Sequence, residues 1–179
     1  MKATASQVRQ DLNCFGGFGQ QGYGYNVRLL YNEIGNILGV NSKTPVILVG
    51  AGNLGRTIAT QMDMDMHGFE LVGVFDKAPE IIGKKIGDLT VTDIEELESF
   101  CKEHSPKAAI ICIPHAAAAE LADKFISLGI VGFWNFSSYD FSYSYDNVSV
   151  VNVYLGDSMM TLSYMINHNK MPGAPELDT

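Results

Sequence analysis

A glycine-rich segment at residues 50–55 constrains the fold of this chain more than any other feature. It reads Gly-Ala-Gly-Asn-Leu-Gly, the pattern G-x-G-x-x-G, and it follows the apolar run 46–49. In dinucleotide-binding proteins this pattern joins a strand to a helix. Its glycines allow a sharp turn, the approach of a pyrophosphate, and close packing of helix on strand. The sequence therefore predicts that the phosphates of a dinucleotide meet Gly50, Ala51, Gly52, Asn53, Leu54 and Gly55.

An acidic residue at the end of the next apolar run supports the same prediction. Asp76 lies 21 residues beyond Gly55 and follows the run LVGVF. A carboxylate at this spacing accepts hydrogen bonds from the adenosine ribose and repels a 2′-phosphate, which favours NAD(H) over NADP(H). Lys77 is predicted to line the same site, and it weakens that preference together with Lys84 and Lys85.

The rest of the chain alternates short apolar runs with helical patterns. We predict strands at 46–49, 70–76, 108–113, 130–135 and 148–153, and helices at 54 to about 66, 93–103, 116–128 and 157–168. Strands separated by helices of this length indicate a parallel sheet covered on both faces. The predicted fold class is α/β, a doubly wound Rossmann-type sheet.

The nicotinamide end of such a site lies beyond the carboxyl end of the strand at 108–113. Ile113 and Pro114 are predicted to contact it. His115 follows, but a lone histidine at a helix start is more often a surface residue, so no catalytic residue is predicted. Because no substrate domain follows the dinucleotide domain, the chain is not predicted to be an enzyme.

Composition and charge limit the remaining possibilities. The three cysteines are scattered and form no CxxC and no metal-ligand cluster, so no metal site is predicted and a reducing cytoplasm is expected. No apolar run is long enough to cross a membrane. The net charge is −8, yet residues 1–44 carry four basic and two acidic side chains, which leaves −10 for the remainder. A mildly basic N-terminal segment on an acidic body leaves DNA binding open.

The N-terminal segment has its own pattern. Residues 4–14 are typical of a short helix, and the glycine- and aromatic-rich residues 15–27 favour a tight hairpin. A second helical pattern over 28–39 stops near Gly39. Read together with the segments that follow, this order resembles the Rex family of redox-sensing repressors. The matching stretches are SQVRQDLNCFGGFGQQGYGYNV (6–27), VGAGNLGRTIA (49–59), FDKAPEIIGKKIG (75–87) and NFSS (135–138).

The resemblance implies a homodimer that binds operator DNA through a winged-helix domain, NADH or NAD+ through a Rossmann domain, and exchanges its C-terminal helix. It implies a partial winged-helix element at 1–40 and a Rossmann domain with the dimerisation helix at 45–168. Residues 169–179 would form a tail. Residues 4–13 would be the recognition helix and 15–25 the wing. The implied DNA contacts are Ser6, Gln7, Arg9, Gln10, Gly22 and Tyr23.

This sequence also departs from the family pattern. The family usually has a basic residue where Gln10 and Gln21 stand, and each lost phosphate contact weakens DNA binding. A repressor of this family has further helices before the recognition helix. We therefore expect a truncated or diverged member of the family that senses the dinucleotide.

Three other functions remain open from the sequence. The first is a small NAD-dependent oxidoreductase, and the second is a CoA-binding Rossmann domain without DNA binding. The third is a descendant of the family that reports the nicotinamide ratio to a protein partner instead of to DNA. Turnover, CoA binding and an operator-binding assay, respectively, distinguish them.

Overall fold

The computed structural model describes residues 4–14, 16, 19–20 and 24–168. It begins with helix α1 (Ala5–Asn13), an antiparallel hairpin of β1 (Gly19–Gln20) and β2 (Gly24–Tyr25), and helix α2 (Val27–Leu38). The predicted order of helix, hairpin and helix is therefore confirmed. Gly22 and Tyr23 of the predicted wing, and the predicted tail at 169–179, lie outside the described residues.

A sheet of seven strands forms the centre of the molecule. Its strands are β3 (Thr44–Val49), β4 (Phe69–Asp76), β5 (Lys85–Ile86), β6 (Leu89–Asp93), β7 (Ala108–Ile111), β8 (Gly132–Asn135) and β9 (Ser149–Asn152). They are arranged in the order β5-β6-β4-β3-β7-β8-β9, and only β5 runs antiparallel to its neighbour. The six parallel strands follow the Rossmann order 3-2-1-4-5-6, which confirms the predicted fold class.

Five helices follow or connect these strands. They are α3 (Asn53–Gln61), α4 (Leu97–His104), α5 (His115–Ser127), α6 (Phe141–Ser144) and α7 (Leu155–His168). The strand order reverses between β3 and β7, so right-handed crossovers place α3 on one face of the sheet and α4, α5 and α6 on the other. The point of reversal is where such sheets bind ligands, beyond the carboxyl ends of the strands.

The core is divided by the sheet into two clusters. On the face of α4, α5 and α6, which we call the closed face, Leu97, Phe125 and Phe141 are fully buried. On the face of α3, which we call the open face, Leu48, Val74 and Ile58 form the second cluster. The open face is covered by α3 over β3 and β4 but not over β8 and β9. The prediction of a sheet covered on both faces is therefore wrong for this part of a single chain.

Several predicted boundaries are also wrong. The helix expected over 54–66 ends at Gln61 because Met62 is extended, and a 3-10 turn at Asp65–His67 follows. The Asp63 carboxylate accepts a hydrogen bond from Met66 N, which favours a new turn over continuation of α3. The strand expected over 108–113 ends at Ile111, and the helix expected over 93–103 begins as a 3-10 turn, Ile94–Glu96. Strands β5 and β6 and helix α6 were not predicted.

Candidate dinucleotide-binding site

The phosphate loop, residues 50–55, turns sharply out of β3 and into α3. Gly50 has a φ of +102°, a conformation that L side chains rarely adopt, and a Cβ there would lie 2.5 Å from the Cys112 carbonyl oxygen. Gly55 packs so closely on the strand that its Cβ would lie 1.9 Å from Gly50 O. Both glycines are therefore required by the path of the backbone before any ligand is considered.

Gly52 differs from these two glycines because nothing surrounds it. It is the residue that precedes α3, its backbone is extended, and no atom lies within 4 Å of the position of its missing Cβ. The first N–H groups of a helix have no acceptor within the helix, and the helix dipole makes this end positive. Together with exposed Asn53 and Leu54 in the first turn, Gly52 forms an open surface on which an anionic diphosphate fits.

Asp76 lies at the carboxyl end of β4, beside the phosphate loop. Its Oδ2 accepts a hydrogen bond of 2.7 Å from Ala51 N, and its Oδ1 accepts one of 2.9 Å from Ala78 N. The sequence correctly placed this carboxylate next to the loop, but it did not predict that two backbone N–H groups would hold it. Each oxygen keeps a second lone pair that a ribose hydroxyl can use. Lys77 is exposed directly after it.

The carboxyl ends of β7 and β8 form the other half of the site. Ile113 is half-buried and Pro114 is exposed, and they lead into α5. His115 is exposed, and its ring contacts Tyr139 edge to face with 5.5 Å between centroids. Ile113 and Pro114 therefore lie at the strand end where they were predicted, beyond β7 and next to the point of strand reversal.

A buried asparagine that sequence reasoning missed as a site residue organises the loop after β8. Asn135 Nδ2 donates to Tyr139 O at 2.6 Å and to Asn152 Oδ1 at 2.7 Å. Its Oδ1 accepts from Ser137 N at 3.0 Å and from Ser137 Oγ at 2.6 Å. These four hydrogen bonds fix the loop between β8 and α6 against β9. The available signal was a single asparagine at a strand end, followed by Phe136 and two serines.

The site contains no arrangement of side chains that points to bond-making chemistry. In the part of the chain that the structure describes, no group of His, Cys, Asp or Glu could hold a metal ion. Cys112, next to the loop, is partly buried, and burial raises the pKa of its thiol to about 12, so it is not a reactive thiolate at neutral pH.

Comparison with known proteins places this site in a family. A family model described as CoA binding domain matches residues 41–139. The redox-sensing transcriptional repressor Rex of Clostridium perfringens strain SM101 is 49% identical over 166 residues, which cover 93% of this chain and 78% of that protein. The chain belongs to the Rex family. The Rex repressor of Caldanaerobacter subterraneus is 47% identical over 171 residues, 96% of this chain and 76% of its own length.

Solved Rex-family structures have the same fold as this chain. The crystal structure of RSP in complex with β-NAD+ and operator DNA has a TM-score of 0.82 at 46% identity, covering 94% of this chain and 77% of that chain. The crystal structure of RSP in complex with β-NADH has a TM-score of 0.79 at 42% identity. Rex-family members are transcriptional repressors and not enzymes, so the oxidoreductase alternative is set aside. None of the described helices is both long and apolar enough to span a bilayer.

The Rex resemblance also assigned DNA contacts to α1, and most of these side chains are exposed. Ser6, Arg9 and Gln10 are all exposed on the helix surface. Gln7 is exposed too, but its Oε1 accepts from Thr4 N at 2.9 Å, and its own N–H donates to Thr4 Oγ1. This reciprocal pair is a capping box. Gln7 therefore stabilises the start of α1, and a base that used its Oε1 as an acceptor would compete with Thr4 for it.

Proposed function

We propose that this Rex-family chain senses the ratio of NADH to NAD+ and couples it to repression at operator DNA. The observation that carries the proposal is the open, positively polarised N-terminus of α3 at Gly52, with the Asp76 carboxylate held beside it. These groups match the diphosphate and the adenosine ribose that NADH and NAD+ share. A repressor of bacterial operators works where the DNA lies, so we propose a cytoplasmic location.

The two redox states of the ligand differ at the nicotinamide ring by a hydride and a positive charge. We propose that Ile113 and Pro114 contact this ring, because they lie beyond β7 where the second half of a dinucleotide extends. An apolar, water-excluding surface penalises the charged NAD+ ring because burying an unpaired charge is costly. Only this differential affinity allows the ligand to shift the protein between two states.

We propose that the functional unit is a homodimer that exchanges α7. None of the described residues of α7 is buried. Several of them are large and apolar, and Leu155, Met159 and Met160 are each more than 60% exposed. A groove of about 580 Å³ on the open face, lined by Val46, Met62, Ala108, Trp134 and Val151 among others, is correspondingly uncovered. An apolar helix and an apolar sheet face of the same chain can cover each other across a twofold axis.

The proposed output is a change in the spacing of two DNA-binding elements. We propose that α1 is the recognition helix and that the β1–β2 hairpin belongs to the wing. Operator half-sites lie one helical turn of DNA apart, so two recognition helices must be separated by about 34–36 Å. A rotation of the two subunits on NADH binding would move the helices out of register and release the DNA.

Calorimetric titration with NADH, NAD+ and CoA tests ligand binding. NADH is expected to bind more tightly than NAD+, and CoA, included because of the family model at 41–139, is expected to bind weakly. Gly52→Val fills the open surface and should weaken NADH binding at least about tenfold, equal to about 1.4 kcal/mol. Asn147→Ala is the control, because Asn147 is exposed and precedes β9, at the end of the sheet away from the site. Equal affinities for NADH and NAD+ would contradict redox sensing.

An electrophoretic mobility shift with the operator DNA that RSP binds tests repression. The complex is expected to form with NAD+ and to dissociate when NADH is added. If NADH binds but no complex forms under any condition, the chain is a dinucleotide sensor that reports to a protein partner instead.

A further inference from the structure

The connector between α2 and the sheet, residues 39–44, is held by specific hydrogen bonds and close contacts on both of its sides. At its start, Gly39 adopts a left-handed conformation with φ of +73°, and its N–H donates to Asn36 O. Val40 N donates to Gly35 O at 3.0 Å, which completes a Schellman motif at the end of α2. The direction in which the chain leaves α2 is therefore fixed by backbone hydrogen bonds.

Asn41 fastens the connector back onto α2. Its Nδ2 donates to Asn32 O at 3.0 Å and to Asn36 Oδ1 at 2.8 Å, so one side chain contacts the helix at two successive levels. Gly35 lies directly beneath it, since a Cβ at Gly35 would be 2.7 Å from the Asn41 amide. The glycine lets the asparagine approach the helix axis closely enough to make both bonds.

On its other side the connector rests against the turn that follows α3. This turn, residues 65–68, ends in Gly68, whose φ is +78° and whose Cβ would lie 2.6 Å from Gly39 O and 2.8 Å from Val40 Cα. Thr44 N donates to Gly68 O at 2.9 Å, and Lys43 Nζ lies 2.8 Å from Asp65 Oδ2. We call the connector and this turn together the joint.

The joint lies at one end of the two elements that carry the phosphate loop at their other end. The connector enters β3, which runs to Gly50, and α3 runs from Gly52 toward the 65–68 turn. A ligand held by the N-terminus of α3 therefore acts on a strand that begins at the joint and on a helix that ends at Gln61, shortly before the 65–68 turn. No flexible linker separates the ligand site from α2.

We propose that the joint ties the orientation of α2 to that of α3, so that dinucleotide binding restrains α2 and the hairpin before it. Asn41 and Gly68 are positioning residues in this coupling and make no contact with the ligand. The inference rests on the proposed function, because it requires a dinucleotide at the phosphate loop. The inference adds that the effect of ligand binding reaches α2 within one chain, in addition to any movement between subunits.

Hydrogen exchange of the full chain, with and without saturating NADH, measures this coupling without the need for DNA. The amides of Gly39, Val40 and Thr44 are informative because each donates a hydrogen bond in the joint. NADH should slow their exchange about three- to tenfold, together with that of the phosphate loop. In Asn41→Ala the slowing at the phosphate loop should remain, while the ratio of rates with and without NADH at Gly39 and Val40 falls to about one.

Matched variants separate coupling from simple loss of structure. Asn147→Ala removes an exposed asparagine elsewhere and should behave as the unmodified chain. Gly68→Ala should abolish the connector response, whereas Gly129→Ala, which has a similar positive φ but open space around it, should not. Fraying of the connector alone would raise the exchange rate of Gly39 by the same factor with and without NADH. The ratio of these two rates would then stay as it is in the unmodified chain.

Two results would overturn the inference, and they differ from failure of the proposed function. One is slowing at the phosphate loop with none at the connector in the unmodified chain. The other is a connector response that survives in both Asn41→Ala and Gly68→Ala. If NADH slows exchange nowhere, the dinucleotide proposal itself is refuted, and the coupling falls with it.

Discussion

The closed and open faces of the sheet are built from the same strands but are completed in different ways. On the closed face, α4, α5 and α6 bury large side chains such as Phe125, Phe133 and Phe141, whose rings pack on one another. On the open face, α3 covers β3 and β4, while Val151 on β9 remains 63% exposed. The difference indicates that one face stabilises the single chain and that the other is available to a second copy.

The largest expected effect is on the closed face. Phe141→Ala should lower the free energy of unfolding by about 3–5 kcal/mol, because it removes a fully buried ring stacked on Phe133. Chemical denaturation followed by circular dichroism measures this loss. Tyr143→Ala, in the same short helix but 92% exposed, should change stability by less than about 0.5 kcal/mol. Equal losses in the two variants would show that α6 does not seal this face.

The next effect concerns how closely α3 covers its part of the open face. Gly55→Ala should destabilise the chain by about 1–3 kcal/mol, since the added methyl group meets the Gly50 carbonyl oxygen and Leu48. Thermal unfolding measures it, and Gly52→Ala is the control because its methyl group enters open space. A Gly55→Ala protein as stable as the control would mean that α3 packs less tightly than described.

The uncovered part of the open face should control association. Val151→Asp places a charge in the apolar groove and should weaken the homodimer at least about tenfold, because the charge would be desolvated in the interface. Sedimentation velocity over a concentration series measures the dissociation. Tyr143→Asp introduces the same charge at an exposed position of the closed face and should leave association unchanged. A dimer unaffected by Val151→Asp would place the interface elsewhere.

The smallest effect is the pH dependence of stability that arises from one buried cysteine on each face. Burial raises the pKa of Cys112, which packs on the open-face cluster, to about 12, and it raises the pKa of Cys101 on the closed face. A thiol with a raised pKa stabilises the fold below its unfolded pKa, and this contribution is lost as pH increases. The free energy of unfolding should therefore fall as the pH increases from about 9 toward 12.

Denaturation at several pH values, with Cys112→Ala as the comparison, isolates that contribution. The variant should show a shallower slope than the unmodified chain, because Cys101 and the other groups still titrate in both proteins. Identical slopes would mean that the Cys112 thiol is more hydrated than its burial indicates.

Much of the site could be predicted because its residues act through backbone geometry. The spacing of Gly50, Gly52 and Gly55 permits few alternatives, and Asp76 follows an apolar run of the right length. The roles of these residues as dinucleotide contacts stay predictions, as do those of Lys77, Ile113 and Pro114. The doubly wound fold class could be predicted from the alternation of elements, since right-handed crossovers allow only a few arrangements.

The features that could not be predicted depend on neighbours distant in sequence. Strand β6 alternates apolar and polar residues over only five positions, and it is stabilised by pairing with β4. Val151 has the same local sequence pattern as a buried strand residue, so the sequence does not indicate that it is exposed on the open face. Asn135 is a single polar residue whose four hydrogen bonds reach three residues, two in the loop that follows it and Asn152 on β9. Asn41 and Gly68 are 27 positions apart in the sequence, and no periodicity connects them.

The two backbone hydrogen bonds to Asp76 have a consequence for how tightly and selectively a sugar can be held. A carboxylate already anchored by Ala51 N and Ala78 N loses little rotational freedom when a ligand arrives, so less of the binding free energy is spent on ordering it. An isosteric amide at this position would direct its NH2 group at one of the two N–H donors. The carboxylate proposed to accept hydrogen bonds from the ribose therefore also stabilises the phosphate loop, so a substitution at Asp76 would affect both.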